Sequence, residues 1–181
     1  SEIVALIVGA LLCPMLLQKF NKRNLSLAGC IVVVIAHALI MVNPMSFQWI
    51  LVMTIIRSLG QAPLTSLVFG MMGDVVEYGQ WKSHLRQESL IFGGGSLGFK
   101  IGTGITSAVM TAMLEGAGFL SSVTGGAMQP TSAQQMISSI FKFGPIFVWI
   151  VAIIVLLFYK LDKIYPSIMK ELTEREARGE M

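Results

Sequence analysis

Charge is what this 181-residue sequence has least of: Asp, Glu, Lys and Arg make up 13% of it, against about a quarter in a water-soluble domain. Apolar side chains make up 54%, and the mean hydropathy is +0.73. The shortage excludes a disordered tail and an ordinary cytosolic enzyme, and the excess makes lipid the solvent. Cysteine is also scarce. Cys13 and Cys30 stand in no Cys-x-x-Cys or His-partnered spacing, which excludes a disulfide scaffold and a thiolate metal centre and leaves two small packing groups. A net charge of +3 with long cation-free stretches excludes a nucleic-acid surface. No basic n-region precedes the first apolar run, which opens on Glu2, so it does not read as a cleavable signal peptide. His37 and scattered hydroxyls assemble no nucleophile, base and orienting partner, so a membrane-embedded enzyme is unsupported.

What is present is a series of apolar runs. Five are read as membrane-crossing helices, at about 20 residues for a ~30 Å hydrocarbon core: residues 2–18, 25–42, 47–73, 89–114 and 137–159. None shows the alternation of a barrel strand, so the fold class is an all-α membrane protein. Ten of the 13 basic residues fall after the first, third and fifth runs: Lys19, Lys22 and Arg23, then Lys82 and Arg86, then Lys160, Lys163, Lys170, Arg175 and Arg178. The connections on the other side, Asn43 to Ser46 and Glu115 to Met136, contain no Lys or Arg. The positive-inside rule puts the basic face and the C-terminus in the cytoplasm and Ser1 outside. An outside N-terminus without a signal reads as part of a longer chain. Residues 161–181 form a charged tail with Glu171 four residues before Arg175, the spacing of a solvated helix, although lipid contact is an alternative.

Three cations lie within the runs. Lys142 is about 9 Å from an outer end and can snorkel to headgroups. Arg57 and Lys100 lie roughly 15–18 Å deep, where an exposed charge costs at least ~2.5–3.5 kcal/mol unless it faces water or a counter-charge. Lys100 shares its helical stripe with Ser96, Thr103, Ser107 and Thr111, and Arg57 with Thr54, Ser58, Gln61 and Thr65. Such stripes suit the walls of an aqueous path; burial against backbone carbonyls is the alternative. Every carboxylate sits near a run end or in a connection, so the sequence predicts no internal partner for Arg57 or Lys100 at their depth. Roughly 200° round from Lys100, Gly94, Gly98 and Gly102 recur every four residues, a ridge for close helix packing. Pro14, Pro63 and Pro145 are predicted to kink their helices. Lone His37 reads as an interhelical hydrogen-bond donor, or else as a proton-relay or substrate contact.

The connection Gly73 to Leu90, GDVVEYGQWKSHLRQESL, sets Asp74 and Glu77 against Lys82 and Arg86, with Tyr78 and Trp81 at headgroup level. It reads as a short amphipathic element across the cytoplasmic mouth, either latched to another domain or anchored at the interface. The pattern of Asp74, Glu77, Tyr78, Gly79, Trp81, Lys82, Arg86 and Glu88, followed by a helix with central Lys100, resembles the glycoside-pentoside-hexuronide:cation symporters. These are the melibiose permease group of the major facilitator superfamily, and the closing YKLDKIYPSIMKEL is similar to that family's end. Ser89 stands where that family commonly has Gly.

The resemblance implies helices eight to twelve of a twelve-helix fold in a bacterial inner membrane. It also implies symport of a sugar or glycoside by alternating access, with no organic cofactor. The coupling cation (Na⁺, Li⁺ or H⁺) would be held mainly by an N-terminal six-helix half, the expected partner alongside the bilayer and the sugar. Lys100, Arg57, Gln61, Ser96 and Thr103 are then the substrate and cavity candidates. Asp74, Glu77, Tyr78, Trp81, Lys82 and Arg86 are the cytoplasmic gate, and Gly94, Gly98 and Gly102 the packing ridge. A carrier of an anionic solute, or a non-transporting scaffold or truncated remnant, remains as an alternative.

Overall fold

The computed structural model describes residues 2–121 and 128–178; Ser1, residues 122–127 of the connection Glu115 to Met136 and the last three residues of the charged tail lie outside them. The described chain is helical throughout its regular structure: α1 (Glu2–Leu17), α2 (Lys22–Ile40), α3 (Phe47–Ser83), α4 (Glu88–Gly116), α5 (Thr131–Phe158) and α6 (Leu161–Ala177). Four of these, α2 to α5, are long and apolar enough to cross a membrane. The first of the five expected runs is α1, a shorter apolar helix of 16 residues.

A correction concerns the connection after the third run. Gly73 to Ser83 do not leave the helix to cross the mouth; they continue α3, which reaches 37 residues, or about 55 Å. No proline interrupts Asp74 to Ser83, and Asp74 and Val76 are buried, so packing holds the helix together through this stretch. It ends where His84 takes up left-handed backbone (φ 59°) and its N–H bonds to the Gln80 carbonyl.

The hub is α3, with α1, α2, α4 and α6 packed on it and α5 packed on α2. Close approach is bought with glycine. A Cβ on Gly29 of α2 would strike the Gly60 carbonyl oxygen of α3, and one on Gly60 would lie 2.9 Å from the Gly29 carbonyl oxygen. One on Gly9 of α1 would strike the Ala62 side chain. Hydrocarbon provides no hydrophobic drive between helices, so this backbone-to-backbone contact is the main source of cohesion. The buried face of α2 follows helical spacing through Ser26, Gly29, Cys30, Val33, Ala36, His37 and Ile40. The cysteines are free and buried, as packing groups should be.

The junction of α2 with α5 is tied by His37, whose Nε2 lies 3.0 Å from the Phe141 carbonyl. Four residues on is Pro145, which has no N–H to donate to that carbonyl. His37 therefore donates in its place, as the interhelical bond expected of it. His37→Phe should cost about 1–3 kcal/mol by leaving a buried carbonyl unpaired. In a Pro145→Ala background, where the helix regains its own donor, the same change should cost clearly less. Thermal melts of the four proteins test this; an equal cost in both backgrounds would contradict the assignment.

Candidate functional site

The helix carrying Lys100 is the least covered part of the bundle. Although 29 residues long and apolar enough to span a membrane, α4 has no buried residue. Near its start it touches α3, with Ile91 3.9 Å from a Cβ on Gly79 and Met72 against Gly95, and near its end Ser132 donates to the Ala117 carbonyl at 2.7 Å. Between these points Lys100 is exposed, and among the described residues its ammonium has no ion pair or hydrogen bond. Ser96 is exposed one turn earlier, while the Thr103 hydroxyl is spent on its own helix, donating to the carbonyls of Phe99 (2.9 Å) and Lys100 (3.0 Å). Phe99, Gly102, Thr103, Thr106 and Ser107 line a shallow open groove along the same helix.

The glycine ridge is bare. Nothing lies within 4 Å of a Cβ built on Gly94, Gly98 or Gly102, so the packing expected there does not join the described helices to one another.

Arg57 is not alone, and the expectation that no acid of this chain reaches it is corrected. Its guanidinium forms an ion pair with the Glu2 carboxylate, tying α3 to α1. The sequence hid this because Glu2 opens one helix and Arg57 lies in the middle of another; only the parallel packing of α1 along α3 brings them level. Both remain reachable, with side chains 24% (Arg57) and 54% (Glu2) exposed. Gln61 is half-buried one turn on, and its carbonyl accepts from Thr65 at 3.2 Å.

At the opposite end of α3 the charged segment turns toward its own bundle. Asp74, with a side chain only 4% exposed, pairs with Lys22 at 2.6 Å, and Lys22 also lies over the Tyr165 ring at 5.3 Å. Tyr165 donates to Glu77. Trp81 Nε1 donates to Glu171 at 2.6 Å, and Glu171 in turn pairs with Arg175, which bonds the Trp81 carbonyl at 3.1 Å. Burial, then the bond to Glu77, pushes the Tyr165 hydroxyl well above the usual phenol range, so it stays a donor. The Trp81 bond, then Arg175, pulls Glu171 below its ordinary value, so it stays an acceptor. The tail is thus a docked helix with Ile168 and Leu172 buried, not a freely solvated one.

Termini are capped across helices as well. Asp162 accepts from the Arg23 backbone N–H at 2.7 Å at the start of α2, where Asn21 makes no side-chain cap, and the Arg23 guanidinium donates to the final carbonyls of α5, Leu156 (2.8 Å) and Leu157 (2.9 Å). Lys82 is 6.0 Å from the Tyr78 ring, Tyr78 lies 5.9 Å from Trp81, and Arg86 makes a loose 3.5 Å pair with Glu88. Asp162 and Tyr165 were not singled out in the sequence, although both lie in the closing YKLDKIYPSIMKEL that carries part of the family resemblance.

Relatives carry the same stretch within longer chains. The isoprimeverose transporter of Lactiplantibacillus pentosus is 28% identical over 98% of this chain and 36% of its own length. The glucuronide carrier protein homolog of Escherichia coli is 24% identical over 97% and 38%. The uncharacterized 29.9 kDa protein in the crtE 3′ region of Pseudescherichia vulneris is 30% identical over 90% and 58%. The chain therefore spans little more than a third of the two named carriers. With a polar-striped, uncovered helix of membrane length behind a charged extension, and with the family model described as MFS/sugar transport protein matching residues 2–163, the chain belongs to the MFS/sugar transport family of the major facilitator superfamily.

Proposed function

We propose that the chain forms part of the C-terminal bundle of a secondary active transporter of a bacterial inner membrane, moving a sugar or glycoside together with Na⁺ or H⁺ by alternating access. The observation that carries this is α4. A membrane-length helix with no buried side chain and an unpaired ammonium at mid-length is untenable in hydrocarbon. It needs a water-lined cavity completed by further helices, and a cavity at the midplane between two bundles is how secondary transporters hold their substrate. Lys100 then hydrogen-bonds the sugar or balances carboxylates that bind the coupling ion on the other bundle. The bare ridge of Gly94, Gly98 and Gly102 is where that bundle approaches. At the cytoplasmic end, Asp74, Glu77 and Trp81 hold α2, α3 and α6 as one body, and the outward Lys82 and Arg86 form the edge that meets and parts from the partner bundle. The names of the relatives, an isoprimeverose transporter and a glucuronide carrier homolog, support a glycoside as cargo.

The test is uptake of labelled neutral glycosides into proteoliposomes holding the full-length transporter, with and without an inward Na⁺ or proton gradient. Accumulation at least about tenfold above the gradient-free level is expected with one of the two ions. Equilibration without accumulation under both would leave a facilitator and overturn symport.

A further inference from the structure

The Glu2–Arg57 pair bears on which sugars fit. An ion pair with one member more than half exposed, roughly 15 Å from the outer end of α3, cannot face acyl chains, because each charge there would lack solvation. It therefore faces the aqueous side of the bundle. A guanidinium in such a place is the natural ligand for a planar carboxylate, which it grips by two parallel N–H bonds. Here the guanidinium is already neutralised by a carboxylate of the same chain, which holds its Nη2 while Nε has no partner. An incoming acidic sugar would set its own carboxylate beside that of Glu2, and could take the full two-bond grip only by displacing it, exchanging one carboxylate for another. A neutral glycoside pays no such penalty and can still use hydroxyls against the half-buried Gln61 and the pair's outer lone pairs.

We infer that Glu2 is a specificity-determining residue: by neutralising Arg57 it sets the site for neutral glycosides and against glycosides that carry a carboxylate. Discrimination of this kind works through a repulsive element, so it is lost when that element is removed, without any new attractive contact being built. The inference rests on the transport reading and names the substrate class of that site.

The experiment is paired uptake of p-nitrophenyl β-glucoside and p-nitrophenyl β-glucuronide into proteoliposomes of the full-length transporter, read as the ratio of glucuronide to glucoside and normalised to protein in the membrane. Glu2→Gln keeps the shape, removes the anion and frees the guanidinium; the ratio should rise at least tenfold. Glu2→Gln combined with Arg57→Gln should return it to within about twofold of the parent, since the gain belongs to the freed cation. Should Glu2→Gln fail to reach the membrane, Arg57→Gln carries the test. It leaves the Glu2 anion unpaired and should lower the ratio at least threefold. A ratio that stays put in either single variant overturns the inference. A parent that takes up neither glycoside overturns the transport reading instead, and the two failures are separate.

Discussion

Replacing Lys100 with alanine in the full-length transporter is expected to cut ion-coupled uptake by roughly 10- to 100-fold while leaving the protein in the membrane at its normal level. The size follows from the ~1.5–3 kcal/mol of a hydrogen bond to a charged group, at about 1.4 kcal/mol per factor of ten. The unchanged level follows from the structure. Lys100 is exposed, its ammonium has no ion pair or hydrogen bond among the described residues, and α4 buries none of its residues in this bundle, so removing the ammonium takes nothing from the packing described here. Lys100→Arg keeps the charge but replaces a compact ammonium with a planar fork, and should restore only part of the activity. Uptake and immunoblot on the same membranes separate the outcomes. Full uptake in the alanine variant would sink the role given to Lys100; loss of protein from the membrane would make it a folding residue.

The second large effect is at the crossing of α2 and α3. Gly29→Ala adds one methyl group, and the atom it meets is the Gly60 carbonyl oxygen, with the Pro63 ring 3.3 Å away. Backbone cannot swing aside as a flexible side chain can, so the helices must part, at a cost of about 1–3 kcal/mol in lost contact. Gly29→Leu should leave little folded protein. The matched control is Gly73→Ala in α3, off the bare ridge, where a Cβ meets nothing within 4 Å: replacing glycine within a helix there should stabilise by roughly 0.5–1 kcal/mol. Thermal melts in detergent read both changes. Opposite signs are expected from the same chemical change in two helices of similar composition, and equal shifts would mean that the crossing is looser than its geometry implies.

The contrast also shows where the sequence could be misread. The regular spacing of Gly94, Gly98 and Gly102 drew attention to α4, yet the glycines at the close crossings of α1 and α2 with α3 are Gly9, Gly29 and Gly60. A signal for α2 was present, because Ser26, Gly29, Cys30 and Val33 make a stripe of small side chains at helical spacing. No such stripe surrounds Gly60, and its importance depends on what crosses it. His37 was legible as an interhelical donor, and its acceptor was legible too, since Pro145 frees the carbonyl four residues before it. That these two helices meet was not. The charged segment from Asp74 was recognised as a functional stretch but misread in shape, because amphipathic interface segments and helices stabilised by a docked partner share one composition.

The sequence by itself determined the solvent, the helices, the uneven spread of cations and the mid-depth position of Lys100. These depend on composition and on periodicity along one chain, and burying a charge in lipid costs the same whatever surrounds it. Only the tertiary structure decided that Arg57 has a partner while Lys100 has none, that α3 runs on to receive α6, and that Lys22 and Asp162 act on helices far from them in sequence. Pairing energies fall within a few ångströms, and which side chains come that close is set by how helices stack, a property of the surfaces together that no single helix carries.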